Sequence, residues 1–440
     1  MEMHRYKIDN LRAWKISKNR KPLILRGARQ VGKTWLMKEF GRRFYKKTIY
    51  INFDNPDNLK DLFKTDFDVS RIITTLEVFD GNKIDPNNTL IIFDEILSVE
   101  RGLKSLEYFY KDAPQYHIIA ATSLLGMGLK DKESIPLKNV QFLTLRPMSF
   151  YEFLECTIDN KLLLEQLKNR NWGVLSMFHD KLIETLKYYL FIGGMPMAVK
   201  KYIEHKDLRA VRDVQKNIIM ACKSDIKKYK PSSCTLRVED VWQTIPKQLT
   251  KENKKFTYSL IRSRGRSKKI EVDIQWLLHS GLLLRNNDIA DPSLPINANN
   301  ESGSFKLYLS DVGLLGAFLN LDAKTIIERN SLFTYSKGAL TEQYIMQELA
   351  FNERLRYAYW SNPNPSGLAK LDFVIQVSDN IVPIEVNVDN NVRSKSLFVY
   401  RDKYNPKLAI RASLKNYSFK NEILSLPLYA IEDVCKYCNK

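Results

Sequence analysis

The chain has 440 residues, more than one hydrophobic core usually organises, so ordinary domain sizes predict about two to four domains. Its composition, 44% hydrophobic and 27% charged with 17 Gly and 16 Pro, excludes a fibrous or largely disordered protein. Lys and Arg number 69 against 50 acidic residues, and the resulting charge of +19 favours association with polyanions or anionic surfaces. The charge alone does not name the partner.

The sequence carries no sign of a membrane protein. The first residues, MEMHRYKIDNLRAW, contain no apolar core of signal-peptide length, and no run reaches the roughly 18 apolar residues of a membrane span. We therefore expect a cytoplasmic protein.

The five cysteines are odd in number and scattered, which is typical of reduced thiols. Cys435 and Cys438 form a lone CxxC, and the other cysteines do not supply the partners that a zinc site would need.

The first motif in chain order is a nucleotide-binding loop in KPLILRGARQVGKTWLMKEF, residues 21–40. A short apolar run precedes Gly27-x-x-x-x-Gly32-Lys33-Thr34, and a helical pattern follows, so the context is strand, loop and helix. Backbone amides would hold phosphates, Lys33 would reach the β and γ oxygens, and Thr34 would ligate Mg²⁺. The sequence thus predicts ATP and Mg²⁺ as cofactors. The predicted nucleotide-binding residues of this loop are Gly27, Ala28, Arg29, Gln30, Val31, Gly32, Lys33, Thr34 and Trp35.

A second motif, NTLIIFDEIL, places two acids at the end of a predicted buried strand. Asp94 would hold the magnesium through water, and Glu95 would orient or deprotonate the attacking water, which predicts hydrolysis as well as binding. The next apolar strand, YHIIAATS, ends at Ser123. Its hydroxyl could sense the γ-phosphate, although a simple cap of the strand end is the alternative. The predicted catalytic residues are Lys33, Asp94, Glu95 and Ser123.

Longer stretches carry a resemblance to a known family: DEILSVERGLKSLEYFYKDAPQYHIIAATSLLG, LRPMSFYEFL, YLFIGGMPMAV, SFKLYLSDVGLL and KGALTEQYIMQEL. Together they resemble a bacterial and archaeal family of AAA-like ATPases whose members carry a C-terminal domain of unknown function. The resemblance covers nearly the whole chain and implies an AAA-like fold and ATP binding. Family members often have Gln where this chain has Leu97. Arg146, which follows the third strand, is a candidate arginine finger by position only.

The GGMP turn, residues 193–196, is similar to the glycine-x-proline turn by which related signalling ATPases set a proline against adenine. Pro196 is therefore a candidate adenine contact. An ordinary turn between two helices, for which Gly and Pro are common, remains the alternative.

The middle of the chain is predicted to be helical and basic. Apolar residues at helical spacing predict a lid over residues 151–232, and the pattern over 233–330 predicts a winged helix-turn-helix module with a linker. A winged helix could bind nucleic-acid phosphates nonspecifically. The alternatives are a solvated basic face or a wing that packs on the ATPase domain. Between Pro246 and Ile270 nine basic residues stand against one acid: Lys247, Lys251, Lys254, Lys255, Arg262, Arg264, Arg266, Lys268 and Lys269.

Near the C-terminus, LDFVIQVSDNIVPIEVNV, residues 371–388, alternates apolar and polar side chains in two segments and predicts a β-hairpin. A two-residue turn at Asp379 and Asn380 would bring the apolar side chains together on one face. The same register would place Asp372 opposite Asn387, with Glu385 diagonal to it.

This arrangement resembles the core of the PD-(D/E)xK nucleases, in which carboxylates hold a metal that activates water. Glu342 in a preceding helix could supply the further acid of such folds, so the hypothetical metal ligands are Asp372, Glu385 and Glu342. Asn387 stands where the nuclease pattern has a lysine, and Lys370 adds positive charge beside the acids. An amphipathic hairpin without catalytic function is the alternative interpretation.

The sequence therefore predicts an α/β protein with an AAA-like P-loop ATPase domain at 1–150, a helical lid at 151–232, a winged-helix module at 233–330 and a nuclease-like α/β domain at 331–440. The predicted function is Mg²⁺-dependent ATP binding and hydrolysis that drives a conformational switch in a nucleic-acid-binding protein. The alternatives are an ATP-gated, metal-dependent DNA nuclease and a nucleotide sensor that acts through a protein partner. Oligomers are compatible with each.

Overall fold

The computed structural model describes residues 3–55, 59–123, 138–157, 161–229, 232–261, 267–296, 303–324, 331–362, 369–387 and 395–438. Within these ranges no helix is both long and apolar enough to cross a membrane. All five cysteines carry free thiols.

The N-terminal region is built on a five-stranded, fully parallel sheet with the order β2-β3-β4-β1-β5. Strand β3, between β2 and β4, is buried at every residue, as its continuous apolar run predicts for a strand covered on both faces. The strands are β1 (Leu23–Gly27), β2 (Lys47–Asn52), β3 (Thr89–Asp94), β4 (His117–Ser123) and β5 (Gln141–Thr144). The helices are α1 (Lys7–Lys15), α2 (Lys33–Phe44), α3 (Val69–Asp80) and α4 (Gly102–Asp112).

The strand order fixes where a ligand can bind in this sheet. Strand β1 lies between β4 and β5. From β1 the chain crosses to β2 at one edge of the sheet, whereas from β4 it crosses over β1 to β5 at the other edge. Ligands of open parallel sheets bind at the carboxyl ends of strands at such a switch point. The loop from Gly27 to Lys33 emerges at this point.

A helical region follows the sheet, as the apolar periodicity predicts. It packs on the N-terminal sheet and on the C-terminal region, and one apolar cluster continues from Leu25 through Tyr189 to Tyr344. The helices from here to the C-terminus, including those that pack on the second sheet, are α5 (Phe150–Thr157), α6 (Lys161–Lys168), α7 (Trp172–Leu175), α8 (His179–Ile192), α9 (Pro196–His205), α10 (Leu208–Tyr229), α11 (Ser232–Leu249), α12 (Ser267–His279), α13 (Val312–Phe318), α14 (Ser331–Phe351) and α15 (Lys395–Tyr404).

The second sheet has eight strands in the order β12-β13-β11-β10-β9-β8-β6-β7 and is mixed. Its strands are β6 (Leu283–Ile289), β7 (Phe305–Leu309), β8 (Arg356–Ser361), β9 (Lys370–Val377), β10 (Asn380–Asn387), β11 (Ala409–Ser413), β12 (Ser418–Lys420) and β13 (Ile423–Pro427). A 3₁₀ segment, Leu428–Tyr437, packs against α14.

The predicted winged-helix module differs from the structure in two respects. Between α11 and α12 the described chain forms only a short 3₁₀ turn, Tyr258–Leu260, instead of a second helix. The β6–β7 hairpin, the expected wing, is not free, because β6 pairs in parallel with β8. The boundary expected at residue 330 therefore falls within one continuous sheet.

The predicted C-terminal hairpin is present, but its expected register is wrong by two residues. Val377 pairs with Asn380, so the turn is Ser378 and Asp379, with Ser378 at φ 52°. The register continues to Phe373 opposite Ile384. The alternation of side chains preserves which residues share a face, but it does not determine which pair of residues forms the turn.

Candidate nucleotide site

A cavity of about 430 Å³ lies over the loop between β1 and α2, within the size range of small-molecule sites. The loop, the start of α9 and the N-terminal segment before α1 all contribute to it. Its lining residues are Met3, Arg5, Arg29, Gln30, Gly32, Lys33, Thr34, Trp35, Asp54, Glu95, Pro196, Met197 and Lys200.

The loop has the backbone geometry that its glycines predict. Gly32 adopts φ 94°, in the left-handed region that side chains disfavour, directly before the first residue of α2. A Cβ on Gly27 would lie 2.2 Å from the carbonyl oxygen of Leu145, so only glycine fits where β1 and β5 end together. The amides at the N-terminus of α2 thereby face the cavity in a geometry suited to phosphate.

Lys33 and Thr34 occupy the first turn of α2 at the floor of the cavity. The Lys33 ammonium is buried and donates 3.0 Å hydrogen bonds to the carbonyl oxygens of Gly27 and Ala28. Burial lowers the pKa of Lys33, while the carboxylates of Glu95 and Asp94 act in the opposite direction. A phosphate bound at the loop would place an anion directly beside this ammonium.

Asp94 joins the two motifs that the sequence predicts. The hydroxyl of Thr34 donates to its Oδ2 at 2.7 Å, and the phenol of Tyr50, on the neighbouring strand β2, donates to the same oxygen at 2.9 Å. Thr34 and Asp94 are thus adjacent, as ligands of one Mg²⁺ have to be. Burial and the Asp94 charge raise the pKa of Tyr50, which keeps its phenol protonated as a donor.

Glu95 follows Asp94 with φ 50° and lines the cavity. This left-handed turn directs the chain out of β3 and leaves Glu95 on the side of the expected phosphates. Ser123 ends β4, which pairs with β1, but its side chain lies outside the described part of the structure, so its role as a γ-phosphate sensor stays a prediction.

Arg5 is a site residue that sequence reasoning missed. It is buried and connects three segments: its Nη1 donates to Val31 O at 2.8 Å, its Nη2 to Arg146 O at 2.6 Å, and its Nε to Glu152 at 3.0 Å. A single arginine near the chain start matches no motif, so no local signal could have identified it. It fixes the nucleotide loop against the segment that follows β5.

The GGMP turn places Pro196 in the cavity. Pro196 begins α9, and its Cγ lies 3.6 Å from the position that a Cβ on Gly32 would occupy. The two glycines permit close contacts, since a Cβ on Gly194 would lie 2.0 Å from Met148 O and one on Gly193 2.3 Å from Asp311 Oδ1. The role of Pro196 as an adenine contact stays a prediction.

Arg146, the candidate arginine finger, is not among the described residues that line the cavity. Burial lowers the pKa of its guanidinium, while Tyr357 and Glu353, which follow α14, act in the opposite direction. Its backbone carbonyl, rather than its side chain, takes part in the site through Arg5.

The carboxylates of the hypothetical nuclease site do not form a metal-binding group. Glu342 is buried and accepts hydrogen bonds from Lys254 at 2.5 Å, Lys306 at 2.8 Å and the phenol of Tyr308. These lysines hold the pKa of Glu342 well below its usual range, against the effect of burial. Across the described chain no cluster of three or more His, Cys, Asp or Glu side chains could hold a metal.

Asp372 lies near one of the same lysines. Lys306 lies 3.8 Å from Asp372, whose Oδ2 accepts a 3.2 Å hydrogen bond from the amide of Val386. Burial and the charge of Glu342 raise the pKa of Asp372. Lys254 and Lys306, two lysines from the middle region, thus lie where a metal between Glu342 and Asp372 would have to bind. The grouping of Asp372, Glu385 and Glu342 as metal ligands stays a prediction that the described residues do not support. Asn387 ends β10, and Lys370 is exposed at the start of β9.

The basic cluster of the middle region is smaller at the surface than expected. Lys254 is buried against Glu342, and Lys255 pairs with Asp288 at 3.1 Å. Arg262, Arg264 and Arg266 lie outside the described residues. The exposed members are Lys247, Lys251, Lys268 and Lys269.

Residues 19–154 match the family model of an AAA domain. The N-terminal region is an AAA-like P-loop domain. Residues 183–325 and 337–430 match two domains of unknown function, DUF8612 and DUF4143 respectively. The resemblance found from sequence motifs is thus confirmed for the nucleotide domain, while no family match supports a nuclease.

Solved structures similar to the chain are distant. A Walker-type ATPase of Pyrococcus abyssi is 16% identical with a TM-score of 0.44, over 72% of this chain and 96% of that one. The ORC1 protein of Aeropyrum pernix, solved in complex with DNA, is 10% identical with a TM-score of 0.29, over 75% and 95%. Cdc6p from Pyrobaculum aerophilum is 11% identical with a TM-score of 0.21, over 70% and 88%. No curated protein matches the chain.

Proposed function

We propose that the protein binds and hydrolyses MgATP at the cavity over the P-loop. The observation that carries the proposal is the 2.7 Å hydrogen bond between Thr34 and Asp94, beside the buried ammonium of Lys33. These groups suit Mg²⁺ and the β and γ phosphates of one nucleotide. When bound, Mg²⁺ would neutralise phosphate charge, and Glu95 would act on the attacking water.

The test is ATP hydrolysis by the whole chain with two variants that separate binding from chemistry. Lys33→Ala should lose both MgATP binding and hydrolysis, because it removes the cation that faces the phosphates. Glu95→Gln should keep MgATP binding and lose hydrolysis by roughly 10²-fold or more. Hydrolysis that persists in both variants would show that another site, or a contaminant, is responsible.

Nucleotide binding is also suited to drive a conformational change. Pro196 lines the cavity and begins α9, and α9 packs against the long helix α10, which leads into α11 and the exposed lysines near α12. Closure of α9 over a nucleotide would therefore move the segment that precedes the basic region. This is the physical basis for a nucleotide-driven switch.

A second function, nonspecific binding of nucleic acid, is favoured by one observation. Lys247, Lys251, Lys268 and Lys269 are exposed in a chain whose net charge is +19. Neutralising Lys268 and Lys269 should weaken binding to a DNA duplex and reduce its salt dependence, because each lost phosphate contact lowers the slope by about 0.9. An unchanged salt slope would exclude this surface. A partner protein as the target of the switch remains the alternative if DNA affinity is the same in all nucleotide states.

A further inference from the structure

The P-loop carries an arginine that is paired with an acid from a distant helix. Arg29 is one of the four residues between Gly27 and Gly32, and its side chain lines the nucleotide cavity. Its Nη1 donates to Oδ1 of Asp225, near the C-terminal end of α10. The side chain of Arg29 is 48% exposed, whereas that of Asp225 is only 6% exposed. The arginine can therefore leave this contact more easily than the acid can.

The guanidinium of Arg29 compensates the negative charge of the Asp225 carboxylate. Its second oxygen, Oδ2, is buried and accepts no hydrogen bond from any residue in the described ranges. A buried carboxylate with one partner is poorly stabilised when that partner leaves. The pairing in turn raises the pKa of Arg29.

Asp225 also lies within the electrostatic field of the phosphate site. The charges of Glu95, Asp94, Arg29 and Asp225 all act on the pKa of Lys33, so Asp225 lies close enough to the phosphate-binding lysine to interact with it electrostatically. Nucleotide phosphates and Asp225 are both anionic, so they repel each other and compete for the same guanidinium. Arginine binds phosphate with paired, charge-assisted hydrogen bonds, which makes this competition effective.

Helix α10 is attached to the elements that form the opposite wall of the cavity. Gln215 donates to the carbonyl oxygens of Phe191 and Ile192 at 2.9 and 2.7 Å, directly before the GGMP turn. Arg212 donates to Gly313 O at 3.2 Å in α13. A change at Asp225 would therefore act on the helix that supports the turn bearing Pro196.

We propose that Arg29 binds the γ-phosphate of ATP and that Asp225 is a positioning residue that holds Arg29 away from it in the empty site. When ATP binds, Arg29 exchanges its contact with Asp225 for the γ-phosphate oxygens, and Asp225 loses its cation. With ADP no γ-phosphate is present, and Arg29 stays with Asp225. This proposal rests on the proposed function, because it requires MgATP at the P-loop.

The test measures dissociation constants of MgATP and MgADP by calorimetry for the whole chain, Arg29→Gln, Asp225→Asn and the double variant. Arg29→Gln should weaken MgATP binding by about tenfold or more, the usual effect of losing a charge-assisted hydrogen bond, and affect MgADP less. Asp225→Asn should tighten MgATP binding, since it removes a competitor and a repulsive charge. In the Arg29→Gln background, Asp225→Asn should have a smaller effect.

The two single variants thus move MgATP affinity in opposite directions, which a purely structural ion pair would not produce. Weaker MgATP binding in both would overturn the proposal. Asp213→Asn, the same change at an exposed acid on the same helix, is the matched control and should leave MgATP affinity unchanged. If it tightens MgATP binding as much as Asp225→Asn does, net charge explains the effect and the proposal fails.

Arg29→Lys keeps the positive charge and covers the case in which Arg29→Gln does not fold; it should bind MgATP with an affinity between those of the wild type and Arg29→Gln. An affinity equal to the wild type's would show that the guanidinium makes no specific contact, and would overturn the proposal.

Lys33→Ala distinguishes failure of this proposal from failure of the proposed ATP binding. If Lys33→Ala binds MgATP as tightly as the wild type, or the wild type does not bind it, both the proposed function and this proposal fail. If only Lys33→Ala is impaired and Asp225→Asn is not tighter, this proposal alone fails.

Discussion

Asp311 accepts a 2.6 Å hydrogen bond from the backbone amide of Gly194, 117 residues earlier in the chain. The same carboxylate caps α13 by accepting from the amide of Leu314 at 3.0 Å. Burial raises the pKa of Asp311 to about 6, and the backbone donors counteract this. One side chain therefore fixes both the start of α13 and the turn that presents Pro196 to the nucleotide cavity.

The first prediction concerns the close packing of this turn. Gly194→Ala would place a Cβ 2.0 Å from Met148 O, so it should destabilise the protein by about 1–3 kcal/mol and weaken MgATP binding. Gly173→Ala is the matched control, because the nearest atom to its Cβ would be 3.7 Å away and the residue is helical. Urea unfolding and MgATP titration measure both effects. Equal behaviour of the two variants would contradict the packing argument.

The second prediction concerns Tyr50, whose phenol shares Asp94 Oδ2 with Thr34. Tyr50→Phe removes one hydrogen-bond donor from a carboxylate that is expected to hold Mg²⁺. We therefore expect the Mg²⁺ concentration for half-maximal ATP hydrolysis to change by up to about tenfold. Hydrolysis rates across a Mg²⁺ titration measure this. Tyr110→Phe, whose ring lies beside Lys21, is the control and should match the wild type. An unchanged Mg²⁺ curve for Tyr50→Phe would rule out the positioning role.

The third prediction uses the buried pairing of Glu342 with two lysines. The pKa of Glu342 in the folded protein lies below its ordinary value of 4.5. The ion pairing therefore stabilises the protein fully at pH values above 4.5 and progressively less as the pH falls below 4.5. Glu342→Gln should therefore destabilise the protein by about 3–5 kcal/mol at pH 7 and by less at pH 4. Urea unfolding at both pH values measures the difference.

The control for this prediction is Glu353→Gln, at a partly exposed pair with Lys7. Surface ion pairs contribute little, so its effect should stay below about 1 kcal/mol at both pH values. If Glu342→Gln costs no more than Glu353→Gln, the buried network does not stabilise the junction between the middle and C-terminal regions.

The fourth prediction concerns a pair of acids at the N-terminus of α5. Glu348 accepts from the amide of Phe150 at 3.2 Å, and Glu432 from that of Tyr151 at 3.2 Å. Burial raises the pKa of Glu432 to about 8, and burial together with the adjacent Glu432 raises that of Glu348. The folded state therefore retains a proton that the unfolded state releases, and stability should fall as the pH rises from 4.5 towards 8.

Glu432→Gln removes this titration while keeping an oxygen that can accept from Tyr151. Its thermal midpoint relative to the wild type should rise as the pH increases from 6 to 8. The exposed Glu422→Gln, which pairs with Arg401, should show no such trend. A constant difference between Glu432→Gln and the wild type across this range would mean that the two acids do not share a proton.

The sequence predicts those parts of the site whose residues are close in the chain. Lys33 and Thr34 are brought to the phosphate position by a local strand, loop and helix, and Asp94 by the end of a buried strand. Arg5 lines the cavity, Tyr50 donates to Asp94 and Asp225 accepts from Arg29. All three come from distant positions in the chain and match no motif. Only the packing of separate elements reveals them.

The C-terminal region shows a different limit. Alternation of side chains correctly predicts a hairpin, but the register depends on the turn. The predicted turn lies one residue too far along the chain, which shifts the pairing register by two residues. The run of basic residues likewise does not show that Lys254 and Lys255 are paired with Glu342 and Asp288. Local charge density therefore overstates the cationic surface wherever acids from elsewhere in the fold compensate it.

The pairing of β6 with β8, in which Asp288 lies opposite Tyr359 and Ile289 opposite Trp360, has a consequence for how the chain can be divided. A fragment that begins after residue 330 keeps β8 but loses β6, and it exposes backbone groups that invite pairing with other chains and aggregation. Truncations and chimaeras should therefore retain the segment from Leu283 onward.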